Sequence, residues 1–381
     1  MIYDAIIIGS GVAGTSAAYF LAKGGKNVLL LEKESLPRYK TCGGGVISRI
    51  SGILPYEINP VVDMTMFTAD IYDHVNNINF HVRRDEPIIS MTMRESLDYF
   101  MLSKASEENA IYKNKEAVID IIQNDEQVEV ITDKEKYRAS FLIAADGATG
   151  ITVRKLGIQK NFKKIPALEH EVYVDKNQFE KYSKTVRFDF GFIPAGYAWV
   201  FPKKEHLSIG LFTMNGSGIS LRKYLEEYIT MLGIKDIREE KKHGYYIPLY
   251  KKKEFTYGRI LLVGDAAGLT DPITGEGISY AIESGQCAAD AIVKGGDKIE
   301  FVINGYEKKL KKIITELKYA KFLSFFVYAS PTIRKFVFKR YGKKLSELMT
   351  DVITGRNRYS KLMKDPLNYL KLFRTAKYLS R

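Results

Sequence analysis

Apolar and polar positions follow two rhythms along this chain. Residues 5–8 and 28–31 are short unbroken apolar runs, the pattern of strands buried on both faces. Between them Ala17, Ala18, Leu21 and Ala22 recur at helical spacing, and Gly24-Gly25 closes the helix. The helical rhythm returns over 94–105, carried by Leu97, Phe100, Met101 and Ala105, then over 220–232 and from about 277 to 293. Strands are predicted at 63–72, 78–82, 117–122, 127–132, 137–144, 185–190, 197–201, 206–212 and 258–265. Residues 300–381 read as helical. The pattern predicts an α/β chain. A Rossmann-like dinucleotide-binding domain is assembled from 1–60, 93–160 and 256–299. An antiparallel-sheet substrate domain, 61–92 and 161–255, is inserted into it, and a helical C-terminal region, 300–381, follows.

Chemistry enters at the first turn. Gly9-Ser10-Gly11-Val12-Ala13-Gly14 reads G-x-G-x-x-G between a strand and a helix, and Glu32 ends the next strand. Gly9 permits the tight turn, Gly11 lets backbone approach a pyrophosphate, and Gly14 lets the helix pack on the strand. The helix start offers free N–H groups and a positive dipole to phosphate, and Glu32 is placed to accept from ribose hydroxyls. This unit implies a dinucleotide without distinguishing FAD from NAD.

A second phosphate-friendly turn lies far along the chain. LLVGDAAGLTDPITGEGISYAIES, residues 261–284, runs from a buried strand through Asp265 and the small residues Ala266, Ala267 and Gly268 to a helix start at Gly277. Strand ends of this kind are where ligands bind in open α/β sheets. These residues resemble the GD motif of the FAD-dependent hydroxylase and reductase superfamily. The resemblance implies FAD, with Asp265 on its ribityl or pyrophosphate part and Gly277 and Ile278 over the ring.

Two stretches between the turns narrow the resemblance. The loop Lys40-Thr41-Cys42-Gly43-Gly44-Gly45 and the strand Tyr197-Ala198-Trp199-Val200-Phe201-Pro202 together resemble the geranylgeranyl reductase family, which pairs K-x-C-G-G-G beside the flavin with Y-x-W-x-F-P in the substrate domain. The similarity spans about residues 1–290. One departure is that Phe212 stands where the family usually carries the second glycine of G-x-G, after Gly210. By resemblance, Ala13, Gly14, Glu32, Cys42, Gly43, Gly45, Arg94, Val118, Asp265, Gly277 and Ile278 contact FAD, Val118 through backbone only. Arg94 can fork onto a phosphate or form a surface salt bridge. Alternation puts Tyr197, Trp199 and Phe201 on one strand face, where they line a prenyl cavity or simply pack a core. Cys42 has three readings: a small packing residue, a thiol tuned by the positive turn, or a catalytic group shaping the site above the flavin. The expected reaction is reduction of isoprenoid C=C bonds, on a prenyl lipid or prenylquinone, by hydride from reduced flavin N5 plus a proton. Cys42 or a nearby tyrosine is the candidate proton relay. The electron donor is NAD(P)H, bound transiently because no second complete G-x-G-x-x-G exists, or a ferredoxin. The alternatives are a flavin monooxygenase or halogenase, and a non-catalytic flavin protein that binds lipid surfaces.

Charge adds a further element. Of 58 Lys+Arg and 45 Asp+Glu, residues 301–381 carry 20 basic and 5 acidic groups, so the excess lies in the last fifth. Such a tail, rich in aromatics, suits an anionic membrane surface, less readily nucleic acid, and is otherwise a solvated lysine-rich face. No apolar run approaches the ~20 residues of a spanning helix, and no secretory pattern precedes the first strand. A cytoplasmic protein, peripheral at the membrane surface, is expected. Cys42 and Cys287 are the only cysteines and exclude a four-cysteine cluster. The five histidines show no metal-ligand spacing.

Overall fold

The computed structural model describes residues 2–215, 218–250, 254–328 and 331–364. The chain opens with β1 (Ile2–Ile8), α1 (Val12–Lys23), β2 (Val28–Leu31), β3 (Gly45–Ile47), β4 (Met64–Met66), β5 (Thr68–Asp73), β6 (Ile78–Arg83) and β7 (Ile89–Met91). It continues through α2 (Arg94–Glu107), β8 (Ile111–Lys113), β9 (Val118–Gln123), β10 (Val128–Thr132), β11 (Lys136–Ala144), α3 (Ile151–Lys155) and β12 (Phe162–Tyr173). Next come α4 (Lys176–Tyr182), β13 (Val186–Phe190), β14 (Gly196–Pro202), β15 (Leu207–Thr213), α5 (Leu221–Met231) and β16 (Glu239–Tyr250). The last elements are β17 (Thr256–Tyr257), β18 (Ile260–Leu262), α6 (Ile278–Gly295), α7 (Ile299–Tyr328), α8 (Pro331–Ile353) and α9 (Tyr359–Lys364). Residues 365–381 of the expected helical tail lie outside the described residues. The chain divides into two compact units, one of Met1–Lys40, Arg94–Lys164 and Pro248–Leu317, the other of Thr41–Met93, Ile165–Ile247 and Lys318–Arg381.

The first unit is Rossmann-like. Its sheet runs β17-β18-β11-β1-β2-β8, with β10 and β9 branching from β11. β1 pairs in parallel with both β11 and β2, and β11 with β18. The apolar runs explain this: Ile6, Ile7, Leu29, Leu30, Phe141, Leu142 and Leu261 are wholly buried, as strands covered on both faces require. Helix α1 packs directly on α6, where a Cβ on Gly285 would lie 2.4 Å from the Ala13 carbonyl oxygen, and Ser16 Oγ donates to Ile282 O at 2.8 Å. The start of α7 joins this unit through Tyr306, whose buried hydroxyl donates to Leu262 O at 2.5 Å.

The second unit is built on a sheet ordered β16-β12-β15-β14-β13-β5-β6, antiparallel in its β12-β15-β14-β13 centre and parallel between β13 and β5. Alternation gives its two faces different characters. Ala198, Val200, Ile209 and Leu211 join Val172 and Leu225 in a mainly aliphatic core that also takes in Tyr228. Helix α5 is capped by Ser220, which accepts from Lys223 N at 3.4 Å. The opposite face is aromatic. Helix α8 lies against β6, where a Cβ on Gly342 would meet the Phe80 ring at 2.0 Å, and Arg334 Nε donates to Asp73 Oδ2 at 3.2 Å. The strand predicted over 63–72 breaks at Phe67: β4 joins a separate sheet ordered β3-β7-β4, and β5 joins the large one. Because Gly45–Ile47 pairs with Ile89–Met91, residues 41–60 cluster with 61–93, so the compact units divide at 40/41 where the sequence pattern suggested 60/61. The units also divide at 164/165 where the pattern gave 160/161, at 247/248 where it gave 255/256, and at 317/318, inside α7, where it gave 299/300, and residues from Lys318 on cluster with the second unit.

Candidate active site

Two groups of functional side chains are built, one within each unit. In the first, Gly9 has φ +98°, and a Cβ there would lie 2.6 Å from Ala145 O; one on Gly14 would lie 1.9 Å from Gly9 O. Only glycine allows the strand, turn and helix to close up this tightly. A Cβ on Gly11 would meet just Arg94 Nη2 at 3.7 Å and Arg38 Nη2 at 3.9 Å. Two guanidinium groups therefore border the space over the turn at the N-terminus of α1. Arg94 is buried and forks onto Asp98, with Nε to Oδ1 at 2.8 Å and Nη2 to Oδ2 at 3.0 Å, so it is not a surface salt bridge. Arg38 reaches the same carboxylate at 3.3 Å and Glu32 at 3.7 Å.

Glu32 ends β2 as expected, and much of its hydrogen-bonding capacity serves the turn. Its Oε2 accepts from Ser10 N at 3.0 Å and Ser10 Oγ at 2.7 Å, and Oε1 accepts from Glu34 N at 3.1 Å. Burial pushes its carboxyl up, but the Ser10 bonds, Arg38 and the Glu34 amide outweigh this and hold it below the usual range. Val118 begins β9, two residues beyond Glu116, whose N–H bonds Glu32 O at 2.9 Å. The distant GD turn arrives at the same place: Gly264 has φ +54°, and a Cβ on it would sit 3.0 Å from the Ala13 side chain. Asp265 pairs with Lys40 at 3.5 Å, and Gly277 is the residue preceding Ile278 at the start of α6.

In the second unit, Cys42, Gly43 and Gly45 lie beside the strand carrying Tyr197, Trp199 and Phe201. A Cβ on Gly43 would stand 3.1 Å from the Phe201 ring and 3.3 Å from Trp199 Nε1. Gly44 has φ +61°, and a Cβ there would be 2.0 Å from Thr92 O. The triple glycine thus lets the loop lie flat on aromatic side chains. Tyr197, Trp199 and Phe201 share one face, with successive ring centroids 6.1 and 6.0 Å apart. Phe188 packs edge-on to Tyr197 and Phe201. Phe212, the departure from G-x-G, packs edge-on to Tyr197 at 4.7 Å. Gly210 is required because a Cβ there would fall 2.1 Å from Trp199 Cζ2.

Sequence reasoning missed several participants. Arg38 sits in the loop SLPRYKTCGGG, and its charge was the available signal. Lys203 follows Phe201-Pro202 directly; it is almost wholly buried, donating to Gly43 O at 2.7 Å and Thr92 O at 2.9 Å. Glu169 and Ser208 carried no motif. Cys42 and Cys287 are both free thiols, and burial pushes Cys287 up to about 12.

The fold and the cradle define an FAD-dependent oxidoreductase, and a family profile described as FAD dependent oxidoreductase matches residues 4–85. The chain is 31% identical over 358 residues to digeranylgeranylglycerophospholipid reductase 2 of Methanothermobacter thermautotrophicus, covering 85% of this chain and 88% of the relative. The chain belongs to the geranylgeranyl reductase family. Two solved structures share the fold at lower identity. A geranylgeranyl bacteriochlorophyll reductase-like protein from Thermoplasma acidophilum has a TM-score of 0.73 at 23% identity, covering 91% of this chain and 98% of that one. The halogenase PltM also has a TM-score of 0.73, at 20% identity, covering 96% and 84%. The cradle suits FAD: two positive groups and a helix start border one turn whose glycine leaves room for a diphosphate.

Proposed function

We propose that this chain reduces C=C bonds of isoprenoid chains carried by membrane lipids or related prenyl compounds. The observation that carries the reading is the Cys42–Gly45 loop laid on the aromatic face of Tyr197, Trp199 and Phe201, in a chain of this family. Gly9, Gly11, Ala13, Gly14, Arg38 and Arg94 would hold the FAD phosphates. Glu32 would take a ribose hydroxyl, and Val118 would contribute backbone. Asp265, Gly277 and Ile278 would hold the ribityl and ring side, and by the family resemblance Cys42, Gly43 and Gly45 would adjoin the reacting part. Bound and reduced, FAD supplies a hydride.

An isolated trisubstituted alkene accepts hydride poorly, so proton delivery to its less substituted carbon leads or is concerted. Positive charge then builds on the tertiary carbon. Aromatic faces attract that charge and exclude water, which is what Tyr197, Trp199 and Phe201 provide. The electron donor is NAD(P)H or a ferredoxin.

The chain meets its substrate at an anionic bilayer surface. Phe322, Phe325 and Phe336 on α7 and α8 are 54%, 58% and 62% exposed, beside Lys318, Lys321, Lys335 and Lys339. Exposed rings flanked by lysines insert at the headgroup boundary of such a surface. Among the described residues no helix is long and apolar enough to cross a membrane. Anaerobic incubation of the chemically reduced protein with a digeranylgeranyl lipid tests the reading. Saturated product formed without oxygen supports it, and a product that appears only with oxygen points to monooxygenase or halogenase chemistry.

A further inference from the structure

Behind the aromatic face lies a buried acid with no role so far. Glu169 on β12 pairs with Gly210 on β15, and Gly210 pairs with Trp199 on β14, so all three share one row of the sheet. Because Gly210 has no side chain, the indole lies across it towards Glu169. Trp199 Nε1 donates to Ser208 Oγ at 3.3 Å, and Ser208 Oγ donates to Glu169 Oε1 at 2.5 Å. Glu169 is 2% exposed, and among the described residues its Oε2 makes no hydrogen bond. An unsatisfied buried oxygen costs an ionised carboxylate far more than the neutral acid. The groups around it pull in both directions. The Ser208 hydroxyl, Lys203 and the Cys42 amide favour the anion, while Glu171, two residues along β12, opposes it. Lys203 is itself held by carbonyls of Gly43 and Thr92. Burial dominates and raises the Glu169 carboxyl above its ordinary range.

We propose that Glu169 is the proton reservoir of the reduction, joined to the aromatic face through Ser208 and kept from solvent behind the Cys42–Gly44 loop. This rests on the prenyl-reductase reading above. With the carboxyl protonated, the Ser208–Glu169 hydrogen bond reverses: the serine O–H turns from Glu169 to the alkene, the carboxyl gives its proton to Ser208 Oγ, and the serine's own proton passes to the less substituted alkene carbon. The π bond breaks, a hydride from reduced flavin forms the second C–H bond, and the flavin is oxidised by two electrons. Glu169 is left as a carboxylate facing the Lys203 ammonium, and a solvent proton restores it. Glu169 acts through Ser208, so it is a positioning and storage group that does not itself touch the substrate.

The test uses FAD-loaded wild type, Glu169→Gln and Ser208→Ala, chemically reduced and mixed anaerobically with a geranylgeranyl lipid. Wild-type single-turnover rate falls as pH rises through the carboxyl titration. Glu169→Gln loses about 10²-fold or more, a general-acid contribution, and loses that pH limb, with flavin content unchanged. Independently of turnover, infrared spectra of the oxidised protein recorded as pH is lowered through the carboxyl titration show a buried protonated-carboxyl band that Glu169→Gln removes and Ser208→Ala retains. Ser208→Ala slows turnover while keeping the band. Wild-type rate and pH profile in Glu169→Gln, or no Glu169-dependent band in wild type, overturns the proposal. Wild type that shows the band but saturates no prenyl chain overturns the prenyl reading, and with it the reservoir role.

Discussion

Gly210→Ala is the sharpest probe of the aromatic face. The added Cβ would lie 2.1 Å from Trp199 Cζ2, 2.6 Å from Cε2 and 2.6 Å from Leu168 O. The carbonyl belongs to a paired strand and cannot retreat without opening β12 from β15, so the indole must move. Leaving its rotamer costs about 0.5–1.5 kcal/mol, and losing the hydrogen bond to Ser208 costs about as much again. Residual overpacking brings the expected destabilisation to about 2–4 kcal/mol. Trp199 is the only tryptophan, so its emission, excited at the red edge of tyrosine absorption, reports this displacement directly. Denaturant unfolding gives the free energy. The phosphate cradle of Gly9, Gly11 and Arg94 lies in a different unit from Gly210, whereas the Gly43 loop lies on Trp199, so FAD content is read in parallel and rates are expressed per bound flavin. The expected result is a shifted emission, lowered stability and slowed prenyl reduction per flavin. Unchanged emission with less than ~0.5 kcal/mol lost, the ordinary range for a neutral surface change, would refute the packing argument.

Three further outcomes follow from other sites. Arg38→Ala removes one of the two cations over Gly11; a charged hydrogen bond of about 1.5–3 kcal/mol implies FAD affinity weakened roughly 10- to 100-fold, read by flavin fluorescence titration. Burial raises the Asp146 carboxyl from 3.8 to about 6, against the Thr152 amide bond. The folded state therefore binds more protons than the unfolded one, and this group's contribution to stability falls as pH rises through that window. Asp146→Asn should gain up to about 3 kcal/mol over wild type between pH 4 and pH 7.5, and an equal difference at both pH values would contradict the assignment. Replacing Phe322, Phe325 and Phe336 together by Ser should reduce sedimentation with anionic vesicles more than tenfold, since each ring buries apolar area worth roughly 1.5–3 kcal/mol; undiminished binding would rule out these rings as the membrane contact.

What was legible in the sequence was what depends on local pattern. The turn at Gly9–Gly14, the GD turn at Asp265 and the aromatic strand at 197–201 are contiguous, and each announces its geometry by residue type and period. The glycine loop at 43–45 announced close approach without saying to what; the structure supplies Phe201 and Trp199 as its neighbours. Partners from separate segments were invisible. Asp98 anchors Arg94 one turn away on α2, but its second partner, Arg38, comes from a loop 60 residues earlier. Glu169 and Lys203 look like ordinary charged positions until the sheet buries them. At Phe67 the apolar alternation changes phase, from Met64 and Met66 to Phe67, Ala69 and Ile71, a signal that marks where the strand changes sheets.

The central claim is that reduced flavin in this chain saturates isoprenoid double bonds. The most direct measurement is an anaerobic single turnover with a digeranylgeranyl lipid, following flavin reoxidation by absorbance and the lipid by mass spectrometry. One flavin should be reoxidised for each double bond that gains two hydrogens. Flavin that stays reduced, with lipid of unchanged mass across every prenyl compound offered, would contradict it.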